Sequence, residues 1–413
     1  MSARARSAGI PRLQEIEFLA VTAENVEAGA TYDQIRRALI EYMAAERERT
    51  QPSGNHAALR LARHDEHRYM TNATDSLAEL MRLGFANTTQ LPTTRKAAPI
   101  YASRTFRLTP DGRAWVSQLK VDRRAAYDDL LRALWITHPK LAGFLRLLRA
   151  GTFTVPTANW GEVHTERHVG PEGRETYVRF LAARAARAVE AGVTGWRASE
   201  REIGQAIRDY IEGRMTSDAR RQRPDRYLRN RDFVSACEEA LVTFAFDRAG
   251  VKLDYITLEI LRRWTKQLGV ANFSYHVPAS PALRLWATAD LDEDALGRLT
   301  TIRRRAVGEW GDRVIDELQA AFELARTRNP QGDSFVPIYQ VRAAVCSKLG
   351  LNDPVFDAAV REFLAGERRA DAPFRMSSDS VEYRNTPPTE TPLRVRDKAG
   401  RMHTYRVMTL IPR

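Results

Sequence analysis

Lysine is scarce in this chain. Of 64 cationic residues only Lys96, Lys120, Lys140, Lys252, Lys266, Lys348 and Lys398 are lysine, so arginine carries most of the formal net charge of +12. A GC-rich genome, which favours arginine and alanine codons, accounts for such a bias by itself. Its physical consequence is the same either way, because guanidinium forks suit bidentate contact with phosphate and guanine. The shortage of lysine also excludes chemistry. No Gly-Lys pair occurs, so the usual triphosphate-cradling loop is missing. No lysine follows an Asp or Glu by two positions, so half of a common metal-dependent nuclease site is missing too. His-Glu-x-x-His, Gly-x-Ser-x-Gly and Gly-x-Gly-x-x-Gly are likewise absent. Cys237 and Cys346 are the only cysteines, too few for a disulfide scaffold or a cysteine-rich zinc site. No stretch reaches the roughly 18 apolar residues of a membrane span. The basic start of the chain runs into Glu15 and Glu17, not an apolar signal region. A soluble, cytoplasmic protein with no membrane association, metal or cofactor is expected.

What is present is an uneven charge. Residues 1–122 carry 17 cations and 14 anions, 123–230 carry 20 and 13, 231–330 carry 14 and 15, and 331–413 carry 13 and 10. The second segment holds most of the excess. Its densest stretch is Arg220-Arg-Gln-Arg-Pro-Asp-Arg-Tyr-Leu-Arg-Asn-Arg231, with six arginines and one carboxylate in twelve residues. A phosphate backbone would relieve that self-repulsion and release counterions. Arg220, Arg221, Arg223, Arg226, Tyr227, Arg229 and Arg231 are therefore candidate nucleic-acid contacts. A solubilising loop or a site for an acidic protein is the competing reading. Arg303-Arg-Arg305 is more simply balanced by Asp290, Asp292, Glu293 and Asp294.

Periodicity predicts a helix over Leu13–Val21 and a second after Thr31, with Ile35, Leu39, Ile40 and Met43 as its stripe. A loop over Glu46–Asn55 and a third helix over Thr74–Leu83, ending at Gly84, come next. Phe85–Phe106 reads as a hairpin with a polar tip, and Arg113–Leu119 as a further helix. The run Phe106-Arg-Leu-Thr-Pro-Asp-Gly112 resembles the second wing strand and following helix start of PadR- and MarR-like bacterial regulators. Leu77-Ala-Glu-Leu-Met-Arg-Leu-Gly-Phe85 resembles the end of their recognition helix. The likeness covers about a quarter of the chain and implies a winged helix-turn-helix that binds double-stranded DNA. Two features depart from the family pattern. The connection Glu46–Thr71 is long, and Asp75 and Glu79 are read on the exposed face of the presumed reading helix, where phosphate would repel them. DNA contact is therefore expected at the helix's N-terminal edge (Arg68, Asn72, Thr74) and at the wing tip (Arg95, Lys96).

Helices are predicted over 123–136, 139–149, 174–191, 199–214, 231–249, 254–268 and 291–327, with extended stretches at Asn272–Val277 and Leu283–Thr288. Helix, glycine and hairpin in that order mark a candidate second winged helix near 231–290, with a plain helical bundle carrying one hairpin as the alternative. The tail repeats the theme with helices over 337–349 and 354–365, a cap at Asn352 and strands from Phe374 and Leu393. The expected fold is mainly α, with two or three tandem winged helices and small β-hairpin wings flanking a central helical region. The expected boundaries are 1–122, 123–330 and 331–413.

His64-Asp-Glu-His67 and His164-Thr-Glu-Arg-His168 lack further ligands nearby and do not make convincing metal sites. The cysteines and the scattered tryptophans read as core residues. The leading functional expectation is a non-enzymatic double-stranded DNA-binding protein that clamps phosphates. It would suit transcription control, plasmid replication or a mobile-element or phage-defence complex. The alternatives are a structural subunit whose winged helices bridge other proteins or a second copy of the chain, and a nuclease with an unrecognised metal site.

Overall fold

A computed structural model of the chain describes residue 13 and residues 15–50, 66–87, 106–157, 171–220, 230–278, 282–288, 311–327, 335–365, 374–377, 393–396 and 402–410. In chain order the elements are α1 (Glu17–Glu27), α2 (Tyr32–Thr50), α3 (Glu66–Arg82), β1 (Ala86–Asn87), β2 (Arg107–Leu108), α4 (Pro110–Val121), α5 (Arg123–Thr137), α6 (Pro139–Arg149) and β3 (Phe153–Pro156). There follow α7 (Pro171–Glu190), α8 (Glu200–Arg220), α9 (Asn230–Arg248), α10 (Tyr255–Gln267), β4 (Ala271–Ser274) and β5 (Ala282–Ala287). The last are α11 (Gly311–Thr327), β6 (Val336–Pro337), α12 (Ile338–Leu349), α13 (Asp353–Ala365), β7 (Phe374–Ser377), β8 (Leu393–Arg396), β9 (Met402–Tyr405) and β10 (Val407–Leu410). Among the described residues the protein is mainly helical, with 13 helices making up 70% and small antiparallel sheets the rest of the regular structure.

Polar side chains set many of the boundaries. Thr31 and Gln34 cap α2 reciprocally: the Thr31 N–H donates to Gln34 Oε1 at 2.7 Å and the Gln34 N–H to Thr31 Oγ1 at 3.4 Å. Asp122 receives the Arg124 and Ala125 N–H groups at 3.0 and 3.1 Å and so opens α5. Ser199 and Glu202 form a capping box on α8. Asn352 caps α13 by accepting the Val355 N–H at 3.0 Å, as expected. Other boundaries differ from the sequence reading. α1 is displaced to 17–27, α2 continues through Thr50 into the expected loop, and α3 begins at Glu66, eight residues before Thr74. Propensity explains the extensions, because Met43–Thr50 and Glu66–Asn72 contain neither glycine nor proline to stop a helix. α8 likewise runs to Arg220 instead of ending near 214. Of the long helix expected over 291–327, Gly311–Thr327 is helical, and 289–310 lie outside the described residues.

The described chain divides into two compact units, each made of separated segments. One comprises 13–142 and 256–268; the other comprises 143–255, 269–288 and 311–410. In the first, α4 and α5 pack together across the boundary expected at 122/123. Trp115 Nε1 donates to the Ala126 carbonyl at 2.8 Å, and Arg123 and Tyr127 both engage Glu17. In the second, Trp286 of β5 shares a core with Val314, Leu318, Phe322, Val341, Phe356, Phe374 and Met408.

One structural device occurs twice. After α3 the chain reads Leu83-Gly84-Phe85-Ala86-Asn87, and after α10 it reads Leu268-Gly269-Val270-Ala271-Asn272. Both glycines have left-handed φ, 77° and 68°. The Thr109 N–H donates to the Phe85 carbonyl at 3.0 Å, and the Thr288 N–H to the Val270 carbonyl at 3.0 Å. The Thr109 hydroxyl donates to the Gly84 carbonyl at 2.6 Å, and the Thr288 hydroxyl to the Gly269 carbonyl at 2.7 Å. Strand register matches too, with Ala86 opposite Leu108 and Ala271 opposite Ala287.

The two larger sheets also share one plan. In β3–β5–β4 and in β6–β10–β7 the last strand lies between the first and the middle one. Each sheet has a helix before its first strand, α6 or α11, and helices between its first and middle strands. β3 brings a third strand to the β4–β5 hairpin.

Candidate nucleic-acid interface

The residues singled out from the sequence divide sharply. Arg95, Lys96, Arg221, Arg223, Arg226, Tyr227 and Arg229 lie outside the described residues, as do the histidines of both suspected metal motifs except His67. Arg68 falls early in α3, Arg220 ends α8 and Arg231 is the second residue of α9. The arginine-rich run therefore connects two consecutive helices that pack on each other. Asn72 and Thr74 are not at a helix edge, because α3 starts so early. Asn72 is buried, and the Thr74 hydroxyl shares a 2.8 Å hydrogen bond with the Tyr32 hydroxyl.

Glu79 overturns one sequence expectation. It is not on an exposed face but fully buried, with Oε1 2.5 Å from His138 Nε2 and Oε2 3.1 Å from Arg82. The His138 ring lies edge-on to Trp264, with centroids 6.0 Å apart, and Trp264 Nε1 donates to the Leu13 carbonyl at 2.9 Å. A carboxylate inside a protein needs such partners, since an unpaired one costs several kcal/mol. Helical spacing cannot reveal this, because His138 is 59 positions from Glu79.

Positive charge is exposed elsewhere. α6 buries Leu141, Ala142, Phe144, Leu145 and Leu148 and exposes Lys140, Arg146 and Arg149, with no acidic residue in the helix. Arg107 on β2 is exposed beside buried Phe106 and Leu108, at the base of the hairpin. Both were legible in the sequence, the first as a 3.6-residue period and the second as strand alternation. Neither stood out in a chain so rich in arginine.

Across α7, α8 and α9, carboxylates are already engaged with other cations. Glu175 binds Arg208 at 2.6 Å and Arg179 at 3.2 Å, and the hydrogen bond from Arg208 holds its carboxyl well down, at about 2. Glu239 binds Arg214 at 2.5 Å and the Tyr210 hydroxyl at 3.1 Å, and Glu202 pairs with Arg248. These carboxylates are committed within the bundle.

Nothing among the described residues assembles metal chemistry: no group of three or more His, Cys, Asp or Glu side chains could hold an ion. Both cysteines are buried, and burial pushes the Cys237 thiol up, away from nucleophilic use. Among the described residues no helix is long and apolar enough to cross a membrane. No protein-family model, curated protein or solved structure matches the chain.

Proposed function

We propose that this chain is a non-enzymatic double-stranded DNA-binding protein built on three winged-helix modules. They span α1 to α4, α6 to β5 and α11 to β10, with α7 to α9 inserted in the second. The fold reading is supported by the repeated Gly–Thr hydrogen-bond pattern of the first two modules and by the common strand order of the second and third. The β8–β9 hairpin, which joins β7 to β10, stands where the third module's wing belongs.

The function rests on one observation: six arginines with a single carboxylate bridge α8 and α9 inside the segment that carries most of the chain's excess charge. A run of guanidinium groups with so few carboxylates would bind phosphates and release condensed ions. The α6 cations and Arg107 add exposed positive charge. Anisotropy of a labelled random duplex tests this. Log affinity is expected to fall steeply with log salt. Replacing the six arginines of 220–231 with glutamine flattens the slope by up to about 5, at roughly 0.9 for each phosphate no longer neutralised. No binding at about 50 mM salt transfers the preference to a structural subunit that bridges proteins. Magnesium-dependent cleavage of the probe points instead to a nuclease.

A further inference from the structure

We infer that the second unit holds a site for a small tetrahedral oxyanion, of the phosphate class, on the β3–β5–β4 sheet. This goes beyond duplex binding and does not depend on it. The centre of the site is Arg284 on β5, the middle strand. Strand register sets Thr154 of β3 opposite Arg284 on one side and Ser274 of β4 opposite it on the other. Residues directly opposite in a ladder share a face, so a guanidinium and two hydroxyls stand in one row across the sheet.

The row is rich in donors and has no acceptor to match. Arg284 forms no ion pair among the described residues, and its Nε is enclosed without a hydrogen-bond partner. Burial pushes its pKa down, and no carboxylate among the described residues raises it again. Thr154 and Ser274 are 6% and 5% exposed. Ser274 Oγ accepts the His276 N–H at 3.0 Å, which leaves its own O–H to donate. At Thr154 only the backbone is engaged: its N–H donates to the Thr194 carbonyl at 3.1 Å, and its carbonyl accepts Trp196 Nε1 at 2.9 Å. Its hydroxyl makes no hydrogen bond among the described residues.

Contacts to either side hold the row in place. Beyond Ser274, His276 meets Tyr339 of α12 edge-on at 5.0 Å. At the other end of the hairpin, Asn272 Nδ2 and Trp286 Nε1 donate to the Leu351 carbonyl just past α12, at 3.1 and 2.9 Å. Asp353 and Asp357 of α13 are engaged elsewhere, with Asn272 and with Arg342, each at 2.9 Å. A partly buried guanidinium without an anion costs free energy. A phosphate-type oxyanion would satisfy its fork and take the two hydroxyls on its remaining oxygens. Hydroxyls more than nine-tenths enclosed admit a small ion and not the backbone of a double helix.

Calorimetric titration of the full-length protein with inorganic phosphate, at constant ionic strength, tests this. Saturable binding at one site with a Kd below about 1 mM is expected. Sulfate should compete for the site and acetate should not. Arg284→Gln is expected to weaken phosphate by about tenfold or more, and Ser274→Ala and Thr154→Val by less. Arg284→Lys, which keeps the charge without the fork, should fall between the parent and Arg284→Gln, and it serves alone if the glutamine variant does not fold. No saturation by about 10 mM phosphate, or phosphate binding unchanged in Arg284→Gln and Arg284→Lys, overturns the inference. Displacement of phosphate by a duplex overturns the assignment to a free ion and gives the site to the nucleic-acid backbone. Phosphate binding by a chain that binds no duplex supports this inference and removes only the DNA reading.

Discussion

At Gly112 the space for a side chain is already filled. A Cβ there would collide with the Phe85 carbonyl oxygen, a backbone atom that cannot step aside. The same Phe85 carbonyl accepts the Thr109 N–H, and Thr109 Oγ1 accepts the Gly112 N–H at 3.0 Å, so strand end, helix start and the turn after α3 lock together. Gly112→Ala is expected to destabilise the first unit by on the order of 3 kcal/mol, read as a lower denaturant midpoint. Thr109 and Gly112 stood out in the sequence through the wing-like run Phe106–Gly112 that holds them, and the Thr109 cap is local, whereas the approach of Gly112 to Phe85 spans 27 positions. The burial of Glu79 was not legible, because its partner His138 lies between α5 and α6, and no pattern within α3 distinguishes a carboxylate facing water from one facing His138. The duplicated Leu-Gly-x-Ala-Asn was open to direct inspection, but five residues repeated 185 positions apart carry meaning only once their hydrogen bonds coincide.

Among the elements, the β4–β5 hairpin meets α12 through His276, whose ring stands edge-on to Tyr339 with centroids 5.0 Å apart. Burial lowers its pKa to about 4 from the ordinary 6.5. The unfolded chain therefore binds a proton in that interval and the folded chain does not. Stability from this site is fully present above pH 6.5 and is lost as pH falls toward 4, by up to about 3 kcal/mol at 1.36 kcal/mol per pH unit. Denaturant midpoints measured between pH 7.5 and 4 should fall less for His276→Gln than for the parent chain, and a parallel decline would refute the assignment. The helices themselves were largely legible, since α5, α6, α9, α10, α12 and α13 agree with their periodicity to within two residues. The hairpin strands at 271–274 and 282–287 overlap the extended stretches expected there. β3 was not legible, because it joins the β4–β5 hairpin from more than a hundred residues away and its all-buried Phe-Thr-Val-Pro has no alternation to mark it as a strand.

On the scale of the whole molecule, the described chain forms two compact units, each assembled from separated stretches of sequence. α10 belongs with α1, where Trp264 meets the Leu13 carbonyl and Gln267 meets the Ile16 N–H, each across 251 residues. A chain ending at Asp254 is therefore expected to lose amide protection in α1 relative to the full chain, read by hydrogen exchange. Unchanged protection would mean that α1 to α5 are self-sufficient. The same long-range pairing imposes an order on biosynthesis. α1 cannot reach its final environment until α10 has been translated, and at roughly 5–20 residues per second that leaves it waiting for about 10–50 s. During that interval the apolar side of α1, with Phe18, Leu19 and Val26, is a surface for a chaperone to guard.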